Sequence, residues 1–169
     1  FDNYFNSILK DKILLKSLKL IIFTNRTFEL LLRKARKDIL KLLSRKDCSL
    51  NTEQIKFTIS LASQCYLNEY IYYTTKEEVE NLQQIIINFP KYHQDESIIG
   101  VISIICCYFP LSEAIRRLPI IEKVNSKNQD FINLKNLQLN NQIKEKDLTQ
   151  KIQSIGKINN LTSLKVKEQ

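Results

Sequence analysis

The chain has 169 residues, enough for one domain with a buried hydrophobic core. Its 2 Gly and 3 Pro leave few tight turns and few helix breaks, which favours an all-α fold. Two glycines cannot form a glycine-rich phosphate loop, and solvated helix faces explain the formal net charge of +8 better than a nucleic-acid partner does.

The first part of the chain is predicted to form two short helices, near residues 3–10 and 12–22, followed by a long one. Thr24 or Asn25 is the expected N-cap of the long helix. Its apolar residues recur at helical spacing and its basic residues fall mainly elsewhere, so we expect an amphipathic helix with a basic, solvated outer face. The apolar stripe comprises Phe28, Leu31, Leu32, Ala35, Ile39, Leu42 and Leu43, and the basic face carries Arg33, Arg36, Lys37 and Lys41.

The most apolar helix is predicted over residues 52–73, with Asn51 and Gln54 as a capping box at its start. A helix that is apolar on nearly all sides is a central helix, packed against several neighbours. Glu69 lies within this stretch, where a carboxylate must be paired, neutralised or placed at a water-lined cleft. The remaining polar side is narrow and consists of Lys56, Ser60, Ser63 and Gln64.

A second capping box, Thr75 with Glu78, begins the next predicted helix, which ends before Pro90. A buried helix follows over residues 98–105, and Gly100 within it permits the close approach of another helix. Another short helix is predicted to begin at Ser112 and to end before Pro119.

The composition becomes more polar after residue 121. We therefore expect a helical core domain over residues 1–121 and a polar helical connector over residues 122–169. The predicted fold class is all-α, an irregular multi-helix bundle of about six to eight helices with a central buried helix near residues 52–73.

Residues with catalytic or metal-binding chemistry are sparse. Cys48, Cys65, Cys106 and Cys107 show no Cys-x-x-Cys spacing and are expected to be reduced and inert. His93, the single histidine, lies in a predicted loop without a catalytic partner and is expected to be solvated.

The longest apolar run, residues 98–111, is shorter than the roughly 20 residues that span a bilayer, and no signal peptide is visible. We expect a cytoplasmic protein without a membrane partner.

Several stretches resemble the helical region of bacterial proteins that join tetratricopeptide repeats to a C-terminal class I S-adenosylmethionine-dependent methyltransferase domain. The strongest match is LASQCYLNEYIY at residues 61–72, where Tyr66 replaces a Phe of the family pattern. Weaker matches are TFELLLRKARKDIL at residues 27–40, YFPL at 108–111 and INNLTSLKVKEQ at 158–169. No repeat of tetratricopeptide type is evident in this chain.

The resemblance implies that the parent protein binds S-adenosylmethionine and transfers a methyl group. The cofactor loop and catalytic residues of the family lie beyond residue 169, so no catalytic, cofactor-binding or metal-binding residue is assigned in this chain. The implied partner is a following methyltransferase domain in the same chain, and a protein substrate is a second candidate partner.

These inferences lead to two hypotheses for function. In the first, the chain is a non-catalytic helical connector that positions the methyltransferase domain or its substrate, and Gln64, Asn68, Glu69 and Tyr70 lie at an interface or cleft. Arg33 and Arg36 are the expected ion-pair partners of Glu69. The same polar residues could instead form an inward cluster that only fixes packing.

The second hypothesis is a stand-alone helical module that binds a protein or a nucleic acid. The nucleic-acid form would use the basic residues Arg33, Lys34, Arg36, Lys37, Lys41, Arg45 and Lys46. It is the less favoured form, because no aromatic residue is interleaved with them as in single-strand binders.

Overall fold

The computed structural model describes residues 8–45, 48–92 and 97–140. Over these ranges every regular element is helical and no strand is present, so the predicted all-α, multi-helix fold is confirmed. His93, Lys46, most of residues 3–10 and the stretch 158–169 lie outside the described residues. The α-helices are α1 (Lys12–Ser17), α2 (Arg26–Leu43), α3 (Thr52–Leu67), α4 (Lys76–Asn88), α5 (Ser97–Ile105), α6 (Leu111–Arg117) and α7 (129–140), with 3₁₀ turns at Phe89–Lys91 and Pro119–Lys123.

The predicted N-caps are confirmed. Asn25 accepts a hydrogen bond from the Phe28 amide at the start of α2. Capping boxes form at the start of α3, between Asn51 and Gln54, and at the start of α4, between Thr75 and Glu78. Each cap satisfies backbone N–H groups that a helix start leaves without partners. Local sequence therefore places the beginnings of the three main helices.

Helix α3 lies at the centre of the fold and packs chiefly against α5, with α1 and α2 on other sides. Every residue from 57 to 65 is buried. Burial extends to the side that the sequence pattern predicts to be polar, where Ser60 and Ser63 each donate to the carbonyl four residues earlier and so need no water. Gly100 permits the close packing of α5, since a Cβ there would lie 3.0 Å from Leu50 Cδ1.

Helix α3 ends at Leu67, so the predicted extension to residue 73 is wrong. Hydrogen bonds from the Tyr70 amide to the Cys65 carbonyl and from the Glu69 amide to the Tyr66 carbonyl close the helix as a Schellman motif. Glu69 and Tyr70 both have left-handed backbones, with φ of 57° and 59°. The helix pattern continues past this point in the sequence, but the chain turns away there.

The described part of the predicted connector packs on the main core. Phe131 and Leu134 of α7 belong to the same buried cluster as α3 and α5. Gln138, also on α7, is fully buried and its Oε1 accepts from the Leu111 amide at 2.8 Å. The core therefore continues across residue 121 as far as the described residues extend.

Candidate functional site

The end of α3 and the segment that follows it carry most of the sequence resemblance, and Gln64 lies in the last turn of α3. Gln64 is fully buried. In the amide orientation that satisfies its neighbours, its Nε2 donates to the carbonyls of Leu18 at 3.1 Å and Ile21 at 2.8 Å, and its Oε1 accepts from the Phe23 amide at 3.3 Å. Gln64 therefore fastens the loop after α1 to the central helix and is not at a cleft.

Asn68, the C-cap residue of α3, is buried, but no hydrogen-bond partner is present for either end of its amide among the described residues. The neighbouring Tyr72 hydroxyl is likewise buried without a hydrogen bond of good geometry. Burial raises the pKa of Tyr72 to about 12, and the Asn68 side chain beside the hydroxyl offsets this rise only in part. A buried polar group left without a partner costs about 1–3 kcal/mol. The buried polar side chains just after α3 thus have fewer hydrogen bonds than those within α3.

Glu69 and Tyr70, which follow Asn68, have different environments. Glu69 is exposed, because the left-handed turn directs it away from the core. Tyr70 is half-buried and its ring meets that of Tyr66 edge-on, with centroids 6.3 Å apart. Burial raises the pKa of the Tyr70 hydroxyl far above its ordinary range, so this group remains protonated.

After the turn, the side chains of residues 71–73 alternate between solvent and core. Tyr72 is buried, whereas Ile71 is 71% exposed and Tyr73 is 67% exposed. Glu69, Ile71 and Tyr73 are the exposed residues of this segment, and we call these three residues the 69–73 edge. Two large apolar side chains this exposed, two residues apart, suit contact with another surface better than contact with water.

Arg36 of α2 is buried beneath this segment, so its predicted place on the solvated face of α2 is wrong. Its Nη2 donates to the Tyr73 carbonyl at 2.9 Å and to Glu78 Oε1 at 3.0 Å. Its guanidinium also lies 4.3 Å from the centre of the Tyr108 ring. The Tyr108 hydroxyl donates to the same Glu78 oxygen at 2.9 Å, which completes a buried network of three side chains.

The expected pairing of Glu69 with Arg33 or Arg36 is wrong. Arg36 pairs with Glu78, and the Nη1 atom of Arg33 lies 3.9 Å from Oε1 of Glu29. Among the described residues Glu69 makes no ion pair, since α3 ends before it and its side chain faces solvent. The carboxylate that required a partner in the core is Glu78, which the sequence indicates only as a helix cap.

A sequence signal for the burial of Arg36 does exist. Arg36 lies four residues after Leu32 and four before Leu40, both of which are buried. Positions four apart share a helix face, so Arg36 belongs to the inner stripe of α2 by spacing alone. Its charge favoured assignment to the outer face, and its partner on α4 was not visible in the local pattern.

The remaining basic side of α2 is largely neutralised by acidic residues. Glu77 of α4 contacts Lys37 at 2.7 Å and Lys41 at 3.1 Å. Bonds from Lys37 and Lys41 lower the pKa of Glu77, so it stays charged beside them. This pairing weakens the case for a nucleic-acid interface on α2, since phosphate binding requires available cations.

The thiols beneath the segment are chemically protected. Cys65, Cys106 and Cys107 are all buried. Burial raises the pKa of Cys106 and of Cys107 well above that of a free thiol. The reactive thiolate form is therefore scarce at both positions. The described residues also contain no group of three or more His, Cys, Asp and Glu side chains placed to hold a metal ion.

Comparison of the chain with family models, with curated proteins and with solved structures finds no match.

Proposed function

We propose that this chain is a non-catalytic helical region that positions a S-adenosylmethionine-dependent methyltransferase domain, with the 69–73 edge as its contact surface. The proposal rests on the resemblance of residues 61–72 to such proteins, together with the way this segment departs from core packing. The edge overlaps the C-terminal end of the resembling stretch, at Glu69 and Ile71, and this overlap carries the proposal.

The local geometry supports a contact role for this segment. Two successive left-handed residues that are not glycine cost about 1–2 kcal/mol each. The unpartnered amide of Asn68 and the exposed Ile71 and Tyr73 add further costs. Departures of this kind from local folding rules are concentrated at functional positions in natural proteins.

The ionisable groups nearby support a non-catalytic role. Glu78 is held by Arg36, Tyr108 and the Thr75 amide, and the adjacent thiols have raised pKa values. Groups committed to such contacts cannot readily exchange protons with a substrate. We therefore assign methyl transfer, and the binding of S-adenosylmethionine, to a domain that follows in the same polypeptide.

The test compares this chain with a polypeptide extended at its C-terminus by about 150 residues of its reading frame, roughly one domain. We expect the extended protein to bind S-adenosylmethionine saturably in a calorimetric titration and this chain alone not to bind it. An extended protein that folds and does not bind the cofactor would contradict the methyltransferase assignment.

The contact role is tested in the extended protein by the double variant Ile71→Ser/Tyr73→Ser. Loss of two central contact residues should lower methyl transfer about tenfold or more, since such residues carry most of an interface's energy. Ile87→Ser is the matched control, because Ile87 is also 67% exposed but lies on α4, away from the edge. Equal activity of the double variant and the control would exclude the edge as the contact surface.

A further inference from the structure

A second exposed apolar surface lies on α1 and the loop after it. Ile13 is 80% exposed and Leu20 is 67% exposed, and Ile21 and Ile22 are more than half exposed. We call these four residues the aliphatic patch. Ile13 lies on α1 and Leu20 lies in the turn that follows the helix, with the exposed Lys16 between them in sequence.

The patch is held in place from within the fold. Leu18 is fully buried, and Gln64 bonds the Leu18 and Ile21 carbonyls and the Phe23 amide. The Phe23 ring packs on that of Phe28 at a centroid distance of 4.4 Å. The outward position of Leu20 and Ile22 is therefore fixed by the bonds of their neighbours and is not the fraying of a chain end.

The charge around the patch is positive. Lys12, Lys16 and Arg26 are exposed, and among the described residues they form no ion pair. The nearby acids are engaged elsewhere: Asp11 accepts the Ile13 and Leu14 amides, and Glu29 faces Arg33. Lys19 adds little to this positive charge, because its Nζ is paired with Asp130 Oδ1 at 2.6 Å.

We propose that the aliphatic patch docks on the surface of a membrane that contains anionic lipids. Aliphatic side chains would enter the boundary between headgroups and acyl chains, while Lys12, Lys16 and Arg26 would contact lipid phosphates and carboxylates. Protein interfaces are depleted of Lys and enriched in aromatic residues, whereas this patch has lysines beside purely aliphatic side chains. Lysines of this kind extend their charge to the headgroup level while their stems cover apolar surface.

This docking differs from membrane crossing. None of the helices in the described ranges has the length and hydropathy needed to cross a bilayer. The sequence-based expectation of no membrane partner considered only spanning segments and signal peptides. A surface contact needs neither, because a few inserted side chains and neighbouring cations suffice for reversible binding.

The chain contains no Trp, so a single introduced Trp reports on its own surroundings. Leu20→Trp is titrated with vesicles of phosphatidylcholine and with vesicles in which three lipids in ten are phosphatidylserine. We expect the Trp emission to shift to the blue and to be protected from an aqueous quencher only when the vesicles contain phosphatidylserine. Ile87→Trp, at a position of equal exposure on α4, should show neither change.

The contribution of the lysines to membrane binding is tested with the double variant Lys12→Gln/Lys16→Gln in vesicle sedimentation. Each lysine near an anionic surface contributes about fivefold to binding, so the double variant should bind about 25-fold more weakly. Lys56→Gln/Lys76→Gln removes two exposed lysines elsewhere and should bind within about threefold of the original, since long-range attraction alone is screened by salt. Equal losses of vesicle affinity in the two double variants would overturn the assignment of membrane binding to the aliphatic patch.

Two further outcomes would overturn the proposal. The first is the absence of a blue shift for Leu20→Trp with anionic vesicles. The second is sedimentation equilibrium that shows a dimer in which Ile13→Ser/Leu20→Ser dissociates at least tenfold more readily, since the patch would then be an interface between two copies. All substituted side chains are exposed, so folding should be retained in each variant.

Discussion

Arg36 of α2 and Glu78 of α4 form an ion pair with an N–O distance of 3.0 Å, although their side chains are only 1% and 3% exposed. Two Arg36 nitrogens and the Tyr108 hydroxyl donate to Glu78 Oε1, and the Thr75 amide and hydroxyl donate to Oε2. Both carboxylate oxygens are thus saturated, and this saturation is what makes the burial of two charges tolerable. The pair also supports the Tyr73 carbonyl of the 69–73 edge.

Replacement of Arg36 by Met should lower the free energy of unfolding by about 3–5 kcal/mol, because it leaves the Glu78 charge buried without its partner. Urea denaturation measures this loss. Lys41→Gln, which removes a pair with Glu77 at the surface, should cost less than about 1 kcal/mol. Similar losses of unfolding free energy in the two variants would show that the buried Arg36–Glu78 pair stabilises the fold no more than the exposed Lys41–Glu77 pair does.

The pH dependence of stability should reflect Glu78. Burial alone would raise its pKa, but the Thr75 amide, the Arg36 charge and the Tyr108 hydroxyl outweigh burial and lower the pKa below its ordinary value of 4.5. The unfolded chain therefore binds a proton that the folded chain does not, in the interval between the two pKa values. The contribution is complete above pH 4.5 and is lost as the pH falls through the folded pKa.

Urea titrations from pH 7 downward check this prediction, with Glu78→Gln as the comparison. The variant lacks the titrating carboxyl, so the difference in unfolding free energy between the two proteins should narrow as the pH falls below 4.5. A difference that stays constant with pH would mean that Glu78 has the same pKa in both states.

Gln64→Leu should lower stability by about 1–3 kcal/mol, because it leaves the Leu18 and Ile21 carbonyls and the Phe23 amide without their buried partner. The Phe23 amide should also exchange its hydrogen faster in native-state exchange experiments. Gln84→Leu, at an exposed position of α4, should change stability by no more than about 0.5 kcal/mol. Unchanged exchange at Phe23 would rule out the role assigned to Gln64.

Glu69→Gly should raise stability by about 1 kcal/mol, since glycine adopts the left-handed backbone of this position without a Cβ clash. The control is Glu80→Gly, an exposed position inside α4, where glycine should lower stability by about 1 kcal/mol. Opposite signs in thermal unfolding are the expected result. A loss of stability at both positions would argue against the left-handed turn at the end of α3.

The four cysteines should differ in reactivity. Cys48 is half-buried, whereas the other three are buried and the pKa of both Cys106 and Cys107 is raised by burial. In the folded protein an aromatic disulfide reagent at pH 8 should titrate one thiol within minutes, and in urea it should titrate all four. Rapid titration of two or more thiols in the folded protein would contradict the packing of α3 against α5.

Periodicity and capping residues account for much of the described fold. The caps at Asn25, Asn51 and Thr75 depend on neighbours within three residues, so local sequence places them correctly. The end of α3 was misplaced because apolar residues continue at helical spacing to Tyr73. Nothing in that pattern shows that the chain leaves the helix at Asn68.

The contacts of the candidate site residues differ from those expected from the sequence. Gln64 serves a loop, Glu69 is exposed, and the buried carboxylate is Glu78. The partner of Arg36 lies 42 residues away in sequence, on a helix whose orientation depends on the whole core. Pairings at that separation leave no periodic trace in a single sequence.

By itself the sequence determined that the described chain is helical, where its main helices begin, and which helix lies at the centre, because each of these depends on spacing and on neighbours a few residues apart. Only the tertiary structure decided which charges are buried and which apolar residues remain outside. The burial of a side chain depends on what packs against it. Elements distant in sequence cover Arg36, whereas no such element among the described residues covers Leu20 or Ile71.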